Sequence, residues 1–158
     1  MKRILLIEDE GSISKKISEK LRNKRYIVKC AYSYASAIGL WEEAEENNEE
    51  FDCIILDLNI NPNGLTDEDV DKYFPIHGIQ VLNEICNKKD TEGNEKYSKE
   101  LKKDIWNKTI VYSAYIYRLK EMQSDFEYFS LLELVSKQQN TSISDLLEIV
   151  NKKLDDKK

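Results

Sequence analysis

Short apolar runs alternate along this chain with stretches whose apolar residues recur every three or four positions. The runs rich in β-branched residues are Arg3 to Ile7, Tyr26 to Ala31, Cys53 to Asp57, Thr109 to Tyr112 and, more weakly, Leu132 to Val135, and each predicts a strand. Ile54, Ile55 and Leu56 have no polar relief, as expected of a central strand covered on both faces. Between the runs, Ile13, Ile17 and Leu21 sit at four-residue spacing behind Ser12, which suits an N-cap. Ile143, Leu146, Leu147, Val150 and Leu154 trace a helical stripe behind Ser142. Ala35 to Asn47 and Ile79 to Asn87 supply two further helices. Strands alternating with helices imply an α/β fold, with parallel strands joined by crossover helices.

Two connections exceed the usual two to six residues. They run from Leu58 to His77 and from Lys88 to Asn107, which places insertions at about 60–76 and 88–107. The second contains Tyr97, Leu101 and Ile105 at helical spacing, predicting a short surface helix. No internal repeat or linker divides the chain. A single domain over 1–154 with a frayed end at 155–158 is expected.

Composition narrows the class of function. The chain has 158 residues, 41% hydrophobic and 34% charged, enough for one core that buries roughly two thirds of the unfolded surface. Its net charge of −6 is spread over interleaved acids and lysines, with no basic stripe, so nucleic acid is not expected as a direct partner. Ile4 to Ile7 is too short an apolar run for a signal peptide or membrane span. Cys30, Cys53 and Cys86 lie far apart among apolar residues, which suits reduced core thiols in a cytoplasmic protein rather than a zinc site.

The chemistry lies where the strands end. In an open parallel sheet, ligands bind beyond the carboxyl ends of the strands. Glu8 and Asp9 follow the first strand and Asp57 ends the third, so three carboxylates converge at one edge. Gathering like charges is costly without a cation, and an all-oxygen set suits a hard ion such as Mg²⁺. Ser113 brings a hydroxyl to the same edge from the fourth strand, and Lys137 brings an ammonium from the fifth. A carboxylate nucleophile, a cation, a hydroxyl and an ammonium together make a phosphoryl-transfer site, because that transition state needs positioning and charge neutralisation.

Five segments in order, Ile4-Leu-Leu-Ile-Glu-Asp-Glu10, Phe51-Asp-Cys-Ile-Ile-Leu-Asp-Leu-Asn59, Gly78 opening a helix, Ile110-Val-Tyr-Ser-Ala114, and Lys137, resemble the response-regulator receiver domains of two-component signalling, the CheY-like family. The resemblance covers nearly the whole chain outside the two insertions. It implies a flavodoxin-like, doubly wound sheet of five parallel strands in the order 2-1-3-4-5, with helices on both faces. It further implies Asp57 as phosphoacceptor, Asp9 as direct Mg²⁺ ligand, Glu8 acting through water and the Asn59 carbonyl completing the metal site. Ser113 and Lys137 would grip the phosphoryl oxygens, while Asn59 and Tyr115 occupy positions that tune dephosphorylation. The implied partners are a sensor histidine kinase or phosphotransfer protein and an unknown downstream protein reached through the face formed by the family's fourth helix and fifth strand. Homodimerisation stays open. No independent enzyme activity is implied beyond self-phosphorylation and autodephosphorylation at Asp57. The residues after Lys137 suffice only for the last helix, so a stand-alone receiver is expected.

The chain departs from the family pattern at three places. Gln138 replaces the proline that normally follows the lysine. Leu134 stands where an aromatic usually lies, and Tyr128 and Phe129 fall too early to replace it. The loop after Asp57 carries Asp67, Glu68, Asp69 and Asp71, expected as solvated acids overhanging the site. These departures keep open a pseudo-receiver that docks partners without phosphorylation. A third reading, a phosphatase or phosphotransferase of another aspartyl-phosphate family, wants a second Asp two residues after the nucleophile, where Asn59 stands. His77 is expected to pack or to face water beside Pro75 rather than to do chemistry, and Trp41 and Trp106 to be core or partly buried anchors.

Overall fold

The computed structural model describes residues 1–138 and 142–156. The chain runs β1 (Arg3–Ile7), α1 (Gly11–Asn23), β2 (Ile27–Ala31), α2 (Tyr34–Glu46), β3 (Cys53–Leu56), α3 (Asp67–Tyr73), α4 (Gln80–Cys86), α5 (Lys99–Asn107), β4 (Thr109–Ser113), α6 (Ile116–Glu121), β5 (Glu133–Ser136) and α7 (Ile143–Asp155). All strand pairs are parallel and the order is β2-β1-β3-β4-β5. Of the expected frayed end, Asp155 closes α7, and Lys157 and Lys158 lie outside the described residues.

The period-two alternation of the strands builds two cores. Leu5, Ile7, Ile54, Leu56 and Val111 face Trp41, Leu82, Ile105, Trp106 and Leu119 from α2, α4, α5 and α6. Ile4, Leu6, Val28, Ile55, Ile110 and Val135 face Ile17 and Leu21 of α1 and Leu146, Leu147 and Val150 of α7. Both faces of the central strands are therefore dry, which explains their unbroken apolar sequence. Cys53 and Cys86 are buried and Cys30 is half-buried, all three as thiols.

Several boundaries differ from the sequence reading. α1 begins at Gly11, because the Ser14 N–H already donates to the Glu10 carbonyl at 3.0 Å. Ser12 is thus inside the first turn rather than its N-cap, and its hydroxyl turns back to Glu10 Oε1. Ser142 does cap α7, in a reciprocal pair with Asp145. Both insertions contain a helix: α5 begins two residues later than expected, and α3, capped by Thr66, stands where the sequence predicts a loop. α6 was not anticipated; only Ile116 and Leu119 are buried in its six residues, too few to show a period.

The first insertion is fastened to α2. The carbonyls of Asn61 and Asn63 accept from the Tyr34 and Ala35 N–H groups at 3.0 and 2.9 Å. Gly64 follows at φ 101°, where an added Cβ would lie 2.9 Å from that of Ala35. The second insertion docks through Tyr97, whose hydroxyl accepts from Trp41 Nε1 at 3.0 Å.

Candidate functional site

The parallel ladder continues one step past the strands and so fixes the site's backbone. Glu8 N–H donates to the Ala31 carbonyl and Asp57 N–H to the Ile7 carbonyl, both at 3.0 Å, and Lys137 N–H donates to the Ser113 carbonyl at 3.1 Å. Glu8, Asp57, Ser113 and Lys137 are thereby set along one edge by strand register alone. Close behind them, the Gly78 N–H donates to the Leu58 carbonyl at 2.7 Å. A Cβ at Gly78 would stand 2.6 Å from the Asp57 carbonyl and 2.7 Å from that of Leu58, so the position requires glycine.

Glu8, Asp9 and Asp57 each offer a carboxylate oxygen, and the three lie within 4.8 Å of one another. Glu8 is 2% exposed and Asp57 is 9% exposed, while Asp9 opens to solvent. Lys137 Nζ donates to Glu8 Oε1 at 2.6 Å and to Asp57 Oδ2 at 3.1 Å. Asp57 Oδ1 accepts from the Leu58 N–H at 2.7 Å. Glu8 Oε2 is buried without a hydrogen-bond partner.

These contacts leave the edge short of positive charge. Burial, and then the neighbouring Asp57, push the Glu8 carboxyl up to about 7. Burial and Asp57 also raise Asp9, and the backbone N–H of Asn61, donating to its carboxylate, works in the opposite direction. Burial works against the Lys137 ammonium, but Asp57 and Glu8 outweigh it and hold its pKa above the ordinary lysine value. One ammonium faces three carboxylates, and the orphaned Glu8 Oε2 marks where a second cation would be welcome. The donor set is all oxygen, so the residues fit a hard divalent ion such as Mg²⁺.

The remaining expected site residues are placed as follows. Ser113 is fully buried at the end of β4, and its hydroxyl accepts from the Tyr115 N–H at 3.2 Å, toward the turn into α6. Asn59 is half-buried in the bend after Asp57. Gln138 closes a turn in which its N–H donates to Ser136 Oγ at 3.1 Å, a bond that proline could not make. The four insertion acids stay out of the carboxylate cluster: they sit on α3, and Asp69 lines a shallow groove with Tyr34, Ile38 and Glu42 of α2. The Asn61 and Asn63 contacts fasten the insertion to the start of α2. Tyr112 was missed. Its ring lies under the Lys137 ammonium, 5.2 Å from Nζ to centroid.

The strand order and the layering of helices on both sheet faces match the fold of solved receiver domains. A response-regulator receiver domain from Clostridium thermocellum superposes with a TM-score of 0.61 at 18% identity, over 99% of this chain and 97% of that one. The chain has the receiver fold. A response regulator of Thermotoga maritima, solved in complex with Mg²⁺ and BeF, matches at TM-score 0.57 and 25% identity, over 97% of this chain and 99% of its own. A chemotaxis protein from Vibrio cholerae matches at 0.61 and 16%, over 96% and 98%. No protein-family model matches the sequence, and no curated protein matches it. Among the described residues, no helix is long and apolar enough to cross a membrane.

Proposed function

We propose that this chain is a Mg²⁺-dependent response-regulator receiver that takes a phosphoryl group onto Asp57 from the phosphohistidine of a partner kinase or phosphotransfer protein. The observation that carries this reading is the placement of Asp57, nearly buried, between Lys137 and two further carboxylates at the strand ends. Its likeness in fold to a response regulator solved with Mg²⁺ and BeF supports the same reading.

An Asp57 carboxylate oxygen attacks phosphorus, and the new O–P bond forms as the P–N bond to the donor imidazole breaks, the electron pair leaving with the imidazole nitrogen. Asp9 and Asp57, the Asn59 carbonyl and, through water, Glu8 would hold the metal ion. When bound, that ion neutralises charge on the phosphoryl oxygens. Lys137 shifts from the carboxylates toward a phosphoryl oxygen as the negative charge moves outward. Ser113 exchanges its Tyr115 amide contact for donation to another phosphoryl oxygen. Asn59 and Tyr115 flank the acyl phosphate and set how readily water reaches it. The altered edge then biases the α6–β5 surface toward a downstream protein.

The test is incubation with Mg²⁺ and a small acyl phosphate or phosphoramidate, followed by intact mass measurement. A gain of one phosphoryl group that Asp57→Asn abolishes is expected. A gain that survives this substitution would remove Asp57 from the role. No gain at all would favour the pseudo-receiver reading, for which Leu134 and the Gln138 turn speak; sustained hydrolysis of a simple phosphate ester would favour another aspartyl-phosphate enzyme.

A further inference from the structure

The Lys137 ammonium has three neighbours, and two of them have other work. Glu8 and Asp57 are the carboxylates on which the proposed metal and phosphoryl group converge. The third neighbour, the face of Tyr112, competes for neither. Register places it there: Tyr112 pairs with Val135 across β4 and β5, and Lys137, two residues further on, projects to the same face as Val135. The ring is 7% exposed, packed in the core beside Val135, and so cannot swing away.

We propose that Tyr112 is a positioning residue for Lys137, its ring face holding the ammonium over the Asp57 edge when the carboxylates are engaged by other charges. The inference rests on the reading of Asp57 as phosphoacceptor. A lysine ammonium is a compact point charge on a flexible four-carbon stem, so it needs a fixed partner to keep its place. An aromatic face supplies electrostatic attraction without neutralising the charge that the phosphoryl oxygens need. The backbone near Lys137 constrains only its main chain, through the Ser113 carbonyl and the Gln138–Ser136 turn.

Three variants separate ring from hydroxyl and from bulk: Tyr112→Phe and Tyr112→Trp keep an aromatic face, while Tyr112→Leu keeps only apolar volume. The first readout is the rate of phosphoryl gain by the full chain from a small phosphoramidate with Mg²⁺. The second is the proton shift of the Lys137 ε-methylene in metal-free protein, which a ring face moves upfield. Tyr112→Leu should slow phosphorylation about tenfold and return the ε-methylene to its unshifted position, with Phe and Trp staying near wild type. Equal rates for Leu and wild type, or a Phe variant as slow as Leu, would overturn the proposal. If wild type gains no phosphoryl group, the functional reading fails instead, and the ε-methylene shift still decides whether ring holds ammonium. Should the Leu variant not fold, an unshifted ε-methylene in wild type and Phe proteins would be enough to reject it.

Discussion

Lys137 Nζ is 2.6 Å from Glu8 Oε1 but 3.1 Å from Asp57 Oδ2, so the ammonium is committed first to the carboxylate that is not the proposed acceptor. Glu8 thus acts as a holding partner for Lys137, and the site's response to protons and cations runs through it.

The pH dependence of stability follows from Glu8. Burial first, and Asp57 second, push its carboxyl from 4.5 up to about 7 in the folded state. The folded form therefore keeps this proton when the unfolded form has lost it, and stability falls as pH rises through that window. Lys137, held above the ordinary lysine value, stays charged throughout it. Metal-free wild type should lose roughly 2 to 3 kcal/mol, relative to Glu8→Gln, on passing from acid to neutral pH. Urea melts of the two proteins in EDTA at several pH values measure this difference; parallel profiles would refute it.

Mg²⁺ should cancel that loss. Protons and cation compete for the same carboxylates, so the ion stabilises more at pH above 7 than near 5. At a free concentration about a hundredfold over Kd, the gain is about 2.7 kcal/mol. Asp9→Asn removes the exposed carboxylate of the cluster and should reduce the gain while barely changing the metal-free melting temperature. An undiminished Mg²⁺ shift in that variant would place the ion elsewhere.

Gly78→Ala should misplace Asp57 from behind. Its Cβ would meet two backbone carbonyls at 2.6 and 2.7 Å, and neither belongs to a flexible side chain that could yield. Overpacking of this kind costs about 1 to 3 kcal/mol. The variant should melt earlier and accept phosphoryl groups more slowly even at temperatures where it is fully folded. A variant with normal stability and normal rate would mean that the β3 end relaxes without consequence for Asp57.

What could be read beforehand was whatever repeats. β1 and the central β3 and β4 were visible because their residues are covered on both faces, and strand register then carried Glu8, Asp57, Ser113 and Lys137 to one edge without further information. The Tyr112–Lys137 contact was open to the same reasoning, through the Val135 pairing, but an aromatic inside a strand reads as core. α3 and α6 could not be read because their seven and six residues bury none and two respectively, and tertiary contacts decide them. The course of the first insertion was hidden for another reason: it depends on the backbone carbonyls of Asn61 and Asn63, which every residue possesses.

His77 pins the far end of that insertion. Its ring is 1% exposed and stacks on Phe74 at 5.9 Å with an interplanar angle of 6°, and Nε2 lies 2.5 Å from the Ile60 carbonyl. A carbonyl can only accept, so Nε2 carries a hydrogen, while the buried Nδ1 has no hydrogen-bond partner. His77→Phe retains the stack and removes the donor, stranding the carbonyl of Ile60, itself 1% exposed. That should cost about 1 to 3 kcal/mol. His77→Gln, which places an amide donor near the Nε2 position, should recover part of the loss, whereas His77→Asn, which reaches only as far as Nδ1, should not. Asp57 remains fastened by Ile7 and Leu58, so phosphoryl acceptance should persist in all three folded variants. Denaturant melts that rank Phe and Gln alike, or set Phe equal to wild type, would show that the Ile60 bond contributes nothing and that His77 acts through its stack on Phe74 alone.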